Sequence, residues 1–483
     1  MYIDQVKRII RLPDDVLLEI FDFYVNEYPT LPVKWRARAW ALLVHVCQQW
    51  RSLVFRSTRR LNLQLYSTPQ TPVEDTLDVW PALPLIIHGS MALTSGTYNI
   101  IAALRQSSRV RDVKLYLAGW QVEEVVAAMR APFPELTGLR LWSHDETPPI
   151  TADSFMGGSA PRLLHFELNG ISFPGLPKSL LSANHVVNLR LFDIPHSGYI
   201  SPEAMVALLS ALTSLETLSL HFRSPQSRPD WENGSLPQLE RSILPTLRRL
   251  HFKGVIEYLE ELATRIDTPQ LDGMNITFFN QIDFDCRCLA QFIDCTPKLS
   301  VRDEAHVQFD DSTAGISLRN RTSNFSLQVH ELLINISCRE PDWQLSSLEQ
   351  VCRSSLHPLS TVEDLYIEHE YSQLIWRNNA IENTLWLELL LPFTAVKDLY
   401  LSKEFAPGIA AALQELVGPR ITEVLPSLQN IFVERLRVGP SGSLQENIGQ
   451  FTAARRHSGH PIGISMWTRR MSFITRHPAR TTD

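Results

Sequence analysis

Beyond residue 60 the chain carries a recurrent apolar-x-x-apolar-x-apolar pattern whose last positions alternate as a β-strand does. It is clearest at Leu215-Leu218-Leu220, Leu247-Leu250-Phe252, Val362-Leu365-Ile367 and Val396-Leu399-Leu401. Weaker copies stand at Val110-Val113-Leu115, Leu136-Leu139-Leu141, Leu163-Phe166-Leu168, Val186-Leu189-Leu191, Leu271-Met274-Ile276, Val329-Leu332-Ile334 and Leu428-Ile431-Val433, and the poorest at Ala305-Val307-Phe309. The marker residues, at 113, 139, 166, 189, 218, 250, 274, 305, 332, 365, 399 and 431, are 23 to 34 residues apart. Between them lie helical candidates, IIAALRQ, VEEVVAAMR, PEAMVALLSAL, LEELATRI and PGIAAALQEL, each with room to run back and leave the next strand parallel to the last. One such unit cannot shelter its own apolar side, so stacking must supply a continuous core. Leu61, Leu63 and Leu65, then Leu83, Leu85 and Ile87, are candidate further strands, while SHDETPPITADSFMGGSA and RSPQSRPDWENGSLPQ read as interrupting loops. An all-helical solenoid is the other reading of the Leu spacing; the alternation in LETLSLHF, VEDLYIEHE and VKDLYLSKE favours strands.

The N-terminal segment is patterned differently. Pro13 suits the first turn of a helix, and Asp14 and Asp15 place negative charge at its positive end. Val16, Leu17, Ile20, Phe21 and Tyr24 then fall on one helical face. After a connector containing Pro29 and Pro32, Leu43, Val46, Cys47, Trp50, Leu53 and Val54 recur three or four apart in a second periodic run. Helices this short cannot bury such wide apolar faces against one another, so a partner is expected to cover the excess.

Leu12-Pro13-Asp14-Asp15-Val16-Leu17-Leu18-Glu19-Ile20-Phe21, followed by Leu43-Val44-His45-Val46-Cys47-Gln48-Gln49-Trp50-Arg51-Ser52-Leu53, resembles an F-box over roughly residues 9–58. The resemblance implies that this segment binds the Skp adaptor of an SCF ubiquitin ligase, and through it a cullin and its RING-bearing partner. By matching positions, Leu12, Pro13, Val16, Leu17, Ile20, Phe21, Leu43, Val46, Cys47, Trp50 and Leu53 would be adaptor-facing or helix-packing. The connector is longer than the usual F-box turn. The array over 61–435 resembles the leucine-rich repeats of F-box proteins, although the asparagine of the standard repeat is missing from most copies. The expected fold is therefore α/β: a helical F-box followed by an irregular leucine-rich-repeat solenoid with a parallel sheet on its concave face. The expected function is a non-catalytic substrate receptor of an SCF-type ligase, the alternative being a repeat scaffold that binds protein without a ligase role.

Composition changes this picture little. With 483 residues, 44% hydrophobic, the chain can bury a large core, and a net charge of −7 argues against nucleic acid as partner. No run approaches the ~18 apolar residues of a membrane span, and the first residues lack the apolar centre of a secretory signal, so a cytoplasmic or nuclear protein is expected, with the Asn-x-Ser/Thr triplets at Asn233, Asn275, Asn320, Asn324 and Asn335 left unmodified. Six cysteines are scattered, and Cys286, Cys288 and Cys295 lack the spacing of a zinc site. No phosphate loop, metalloprotease or dinucleotide motif occurs, and the pairs Asp310-Asp311 and Glu123-Glu124 read as solvated charge; neither cofactor nor metal is expected. Residues 452–483 are basic and read as a disordered tail, the other reading being a partner or membrane-surface helix.

Strand alternation also places candidate binding residues. Tyr116, Trp142 and Phe192 share one offset from the marker in early repeats, and Tyr366, Tyr400 and Phe432 another in the last three. Asp364, Glu368, Asp398 and Glu434 share the face of the second group, predicting aromatic anchors in an acidic rim where a basic and apolar protein segment would bind. The protein substrate itself has no signature in the sequence.

Overall fold

The computed structural model describes residues 12–26, 40–70, 82–90, 96–145, 152–173, 183–225, 241–281, 286–299, 302–321, 332–369, 382–416, 418–434 and 442–468, with 77, 80, 180 and 284 as isolated positions. Asn233, Asn324 and Val329 of the sequence reading lie outside these residues. The chain divides into two compact units, Met1–Gly234 and Ser235–Asp483.

In the first unit, helix α1 (Asp14–Asn26) begins where Leu17 N–H reaches Pro13 O at 3.0 Å, with both aspartates in its first turn. The second periodic run is not one helix. Residues 40–44 are helical and turn at 45–46, and Cys47 then caps helix α2 (Gln48–Arg56), its sulfur accepting from Trp50 N–H at 3.5 Å. Arg51 Nε donates to Val44 O at 3.0 Å across the break. Leu17, Phe21, Leu43, Val44, Leu53 and Val54 are buried between these helices, and Phe21 meets Trp50 edge-on at 4.7 Å. Trp40, buried and bonded through Nε1 to Gln64 O at 3.1 Å, fastens the helices to the array.

The array opens with parallel strands β1 (Leu65–Ser67), β2 (Leu85–Ser90), β3 (Val110–Leu117), β4 (Gly138–Ser143), β5 (His165–Asn169), β6 (Asn188–Ile194) and β7 (Thr217–Phe222), each beside the one before it. Leu61 and Leu63 are buried in the turn ahead of β1 rather than in a strand. The register aligns the repeat pattern across the sheet: Ile87, Val113, Leu139, Phe166, Leu189 and Leu218 are paired in succession, and all are at most 1% exposed. These buried rows rest on helices α3 (Thr97–Leu104), α4 (Gly119–Ala128) and α5 (Pro202–Ala211), which fall where the helical period placed them.

The second unit continues the strand–helix alternation with β8 (Ser242–Ile243), β9 (Arg249–Gly254), helix α6 (Ile256–Arg265), β10 (Ile266–Asp267) and β11 (Gly273–Phe279); β8 and β10 form a small parallel pair of their own. Helix α7 (Arg287–Asp294) leads to β12 (Glu304–Phe309), β13 (Thr313–Arg319) and β14 (Leu332–Ser337). Here a sequential solenoid fails. β14, not β12, lies parallel beside β11; β13 runs antiparallel between β14 and β12, and β12 pairs with β15 (Asp364–His369). The turn that allows this is built on Asp310, whose Oδ1 accepts from the N–H groups of Ser312 and Thr313 at 2.7 Å each. Its carboxylate is thus a turn element, not the solvated charge expected. Helix α8 (Pro341–Ser355), the crossover from β14 to β15, must pass two strands spaced ~4.8 Å apart and packs on β13.

Helix α9 (Asn383–Leu390), β16 (Asp398–Leu401), helix α10 (Ala406–Gln414), β17 (Asn430–Glu434), helix α11 (Gly442–His457) and β18 (Gly463–Trp467) complete the unit, β15 to β18 being parallel neighbours. The expected disordered tail is therefore corrected for 452–468: these residues form the last turns of α11 and one more strand. Arg455 explains why the helix stays. Buried, it donates to the carbonyls of Ile421, Leu425, Pro426 and Leu428 at 3.1–3.4 Å, and only an arginine fork satisfies so many acceptors from one side chain. Among the described residues no helix is long and apolar enough to cross a membrane.

Candidate functional site

The N-terminal positions divide into two sets. Leu17, Phe21, Leu43 and Leu53 are buried, Trp50 packs on Phe21, Cys47 is a helix cap, and Leu12 is half-buried. Pro13, Val16, Ile20 and Val46 are exposed. On α1, Val16, Ile20, Phe23 and Tyr24 are 39%, 46%, 66% and 41% exposed and fall at i, i+4, i+7 and i+8, one apolar face open to solvent. Leu42 and Val46 add 58% and 56% exposed apolar side chains from the following segment. Phe23, Leu42 and Trp40 escaped the sequence reading; the first two belong to no motif position, and Trp40 lies in the connector.

In the second unit, the alternation of β12, β15, β16 and β17 brings one residue per strand into register, His306, Tyr366, Tyr400 and Phe432. Their rings form a ladder: His306 to Tyr366 4.4 Å at 5°, Tyr366 to Tyr400 4.2 Å at 7°, Tyr400 to Phe432 4.5 Å at 9°. Trp467 closes it edge-on, 6.1 Å from Tyr366 and 5.6 Å from Tyr400, its Nε1 bonded to Leu401 O at 3.2 Å. The structure thus brings Tyr366, Tyr400 and Phe432 together as expected and adds two rings. His306 holds the same offset, one after its marker, and was legible; Trp467 was not, because it sits in the presumed tail.

The acidic rim differs from expectation. Glu368 is buried, so it is no exposed rim residue. The Asp364 carboxylate is buried and ion-paired with Arg321, Asp398 accepts from Asn430 Nδ2 at 2.7 Å, and Glu434 accepts from Lys403 N–H at 3.3 Å. A strand face packed with large rings leaves carboxylates little water, and they are held by donors within the fold. Glu304, beside the ladder, accepts from His306 at 2.5 Å, and that hydrogen bond holds its carboxyl below the usual range. Burial, then the neighbouring Tyr400, pushes the Tyr366 phenol far up; burial and then Asp398 raise Tyr400. Both phenols stay neutral and share a hydrogen bond, so the ladder offers ring edges and hydroxyls rather than charge.

The early aromatics form a shorter row. Tyr116 stacks on Trp142 at 4.5 Å and 14°, but Asn169 stands in register between Trp142 and Phe192, and Phe192 instead meets His221 edge-on at 4.7 Å. Cys286, Cys288 and Cys295 belong to α7 and its ends and form no disulfide, and among the described residues no group of three His, Cys, Asp or Glu side chains is placed to hold a metal.

No family model matches the chain, and no curated protein matches it. Among solved structures, the leucine-rich repeat-containing protein LegL7 from Legionella pneumophila is similar at 12% identity with a TM-score of 0.27, over 81% of this chain and 98% of that chain. The class the fold defines, a parallel strand–helix repeat array of the leucine-rich type, rests on this chain's own register and buried rows.

Proposed function

We propose that the chain is the substrate-recognition subunit of an SCF-type ubiquitin ligase, docking the Skp adaptor through α1 and the segment after it and holding a protein substrate on the repeats. The observation that carries this reading is the exposed apolar face of α1. Its motif residues Leu17 and Phe21 face inward, while Val16, Ile20, Phe23 and Tyr24, joined by Leu42 and Val46, present apolar side chains to solvent. Leaving such a patch uncovered is unusual for a surface with no partner. The chemistry would be proximity: the receptor holds the substrate's lysine near a ubiquitin-charged enzyme brought by the cullin, so no residue here is asked to react. The ladder from His306 to Phe432 is the substrate surface this reading favours, since rigid rings supply contact area with few rotamers to fix.

Reconstitution with the adaptor, a cullin and its RING partner tests the reading. The wild-type chain is expected to bring the cullin into one complex and to support ubiquitin transfer to a bound protein. If the adaptor binds but no cullin joins, the chain is a repeat scaffold without a ligase role; if the adaptor itself does not bind, the F-box reading fails. The triple variant Y366A/Y400A/F432A should keep the adaptor and lose the substrate.

A further inference from the structure

The first unit carries a face of opposite chemistry to the ladder, and nothing above assigns it a role. In the register of β3 to β6, Lys114, Arg140, Glu167 and Arg190 form one cross-strand row, on the same side of the sheet as Tyr116 and Trp142. With His165 and Asn188 from the neighbouring row they line an open groove of about 400 Å³. The Lys114 ammonium sits 5.4 Å over the Trp142 ring, whose Nε1 donates to Glu167 Oε1 at 2.9 Å. Stacking on one side and this hydrogen bond on the other fix the indole as a platform.

Glu167 is largely used up holding that platform, and its distance to Arg190 is 3.9 Å, too long for a tight pair. Among the described residues neither Lys114 nor Arg140 forms an ion pair. Asn188 Nδ2 and His165 Nδ1 lie 2.9 Å apart, and burial, then the charge of Arg140, lowers the His165 pKa against the opposing pull of Asp112, so the ring adds a polar edge rather than a further cation; Asp112, in the same row, is itself paired with His88 at 2.8 Å. The groove therefore holds more positive charge than its own carboxylate neutralises, beside a fixed aromatic surface.

We propose that this groove binds an acidic, extended segment of a partner protein, its carboxylates on Lys114, Arg140 and Arg190 and an aromatic side chain on the Tyr116–Trp142 platform. Charge complementarity selects the acidic partner. The row spans three strand intervals, ~14 Å, which matches about four residues of extended chain. A nucleic acid fits less well: its phosphates would meet Glu167 at the centre of the row, and the chain is net negative at −7. The inference goes beyond the adaptor reading and does not rest on it, since the groove shares no residue with α1 or the ladder.

The full-length protein is titrated, by fluorescence anisotropy, with a short labelled peptide of alternating glutamate and phenylalanine, with its lysine counterpart, and with a labelled single-stranded oligonucleotide. The glutamate peptide is expected to bind best, more weakly as salt rises. K114A/R140A/R190A should weaken it by roughly tenfold, the loss of three partly screened charge contacts. W142A should weaken it as well. R140E, a single half-exposed change that spares the core, should shift preference toward the lysine peptide. The proposal is overturned if the glutamate peptide binds no better than the lysine one, if K114A/R140A/R190A keeps wild-type affinity, or if the oligonucleotide binds more tightly than the glutamate peptide.

Discussion

Replacing Tyr400 by alanine removes the central rung of the ladder. Its ring stacks on Tyr366 at 4.2 Å and Phe432 at 4.5 Å and is met edge-on by Trp467 at 5.6 Å. Aromatic pairs contribute about 0.5–1.5 kcal/mol each beyond area burial. Three pairs would sum to ~1.5–4.5 kcal/mol, and because Tyr400 is half-buried and its neighbours can close part of the gap, a loss of about 2–3 kcal/mol is expected. Y400F keeps the stack and loses only the hydroxyl's hydrogen bond with Tyr366, about 1 kcal/mol. Two compact units make a single global transition unsafe, so the readout is native-state hydrogen exchange of the β15–β17 amides in the full chain, which reports the local opening free energy. The double variant Y366A/Y400A should fall short of additivity by about 1 kcal/mol. A Y400A effect below ~0.5 kcal/mol, or strict additivity, would refute the ladder as a packed unit.

Arg455→Ala strips donors from four backbone carbonyls and should destabilise the α11–β18 end of the second unit by about 2–4 kcal/mol, seen as exchange spreading from β18 into β17; unchanged protection there would contradict its role. The raised Tyr366 phenol gives a signed pH effect: its stabilisation is fully present below the ordinary phenol value of 10.0 and is lost as pH rises toward its higher folded value, so Y366F should be less sensitive to alkaline unfolding than wild type when both are titrated by near-ultraviolet absorption. Gly170 has φ +68° and a Cβ there would run into Ser143 O, so Gly170→Ala should cost about 1–3 kcal/mol, measured as faster native-state exchange of the β5 and β6 amides; unchanged exchange would contradict the constraint.

The repeat array was legible because its signal is redundant: each marker residue is buried, and a misplaced repeat would expose a whole row. The reading broke at β13, a strand that no marker residue covered. TAGISLR alternates like its neighbours, but alternation does not encode whether a strand runs parallel or antiparallel, and the Asp310 turn that reverses the chain looked like surface charge. The same limit hid β18, where GISMW is too short and too close to a basic run to register as a strand. At the candidate sites, sequence offset found Tyr366, Tyr400 and Phe432 because they share a register row, but could not show that Glu368 is buried or that Asp364 is held by Arg321, which comes from just beyond β13, 43 residues away in the chain. At the N-terminus the apolar period located a helix without separating Leu17 and Phe21, which pack, from Val16 and Ile20, which do not.

That separation supplies the most direct measurement. Ile20 is 46% exposed on α1, so Ile20→Asp should leave the fold intact, whereas Trp50→Ala would also remove a packing partner of Phe21. Isothermal titration of the purified chain with the Skp adaptor is predicted to give one-to-one binding for wild type and at least about a hundredfold weaker binding for I20D, as truncating a central interface anchor commonly costs over ~2 kcal/mol and a buried carboxylate adds to it. No binding by wild type, or equal binding by a folded I20D, would contradict the account.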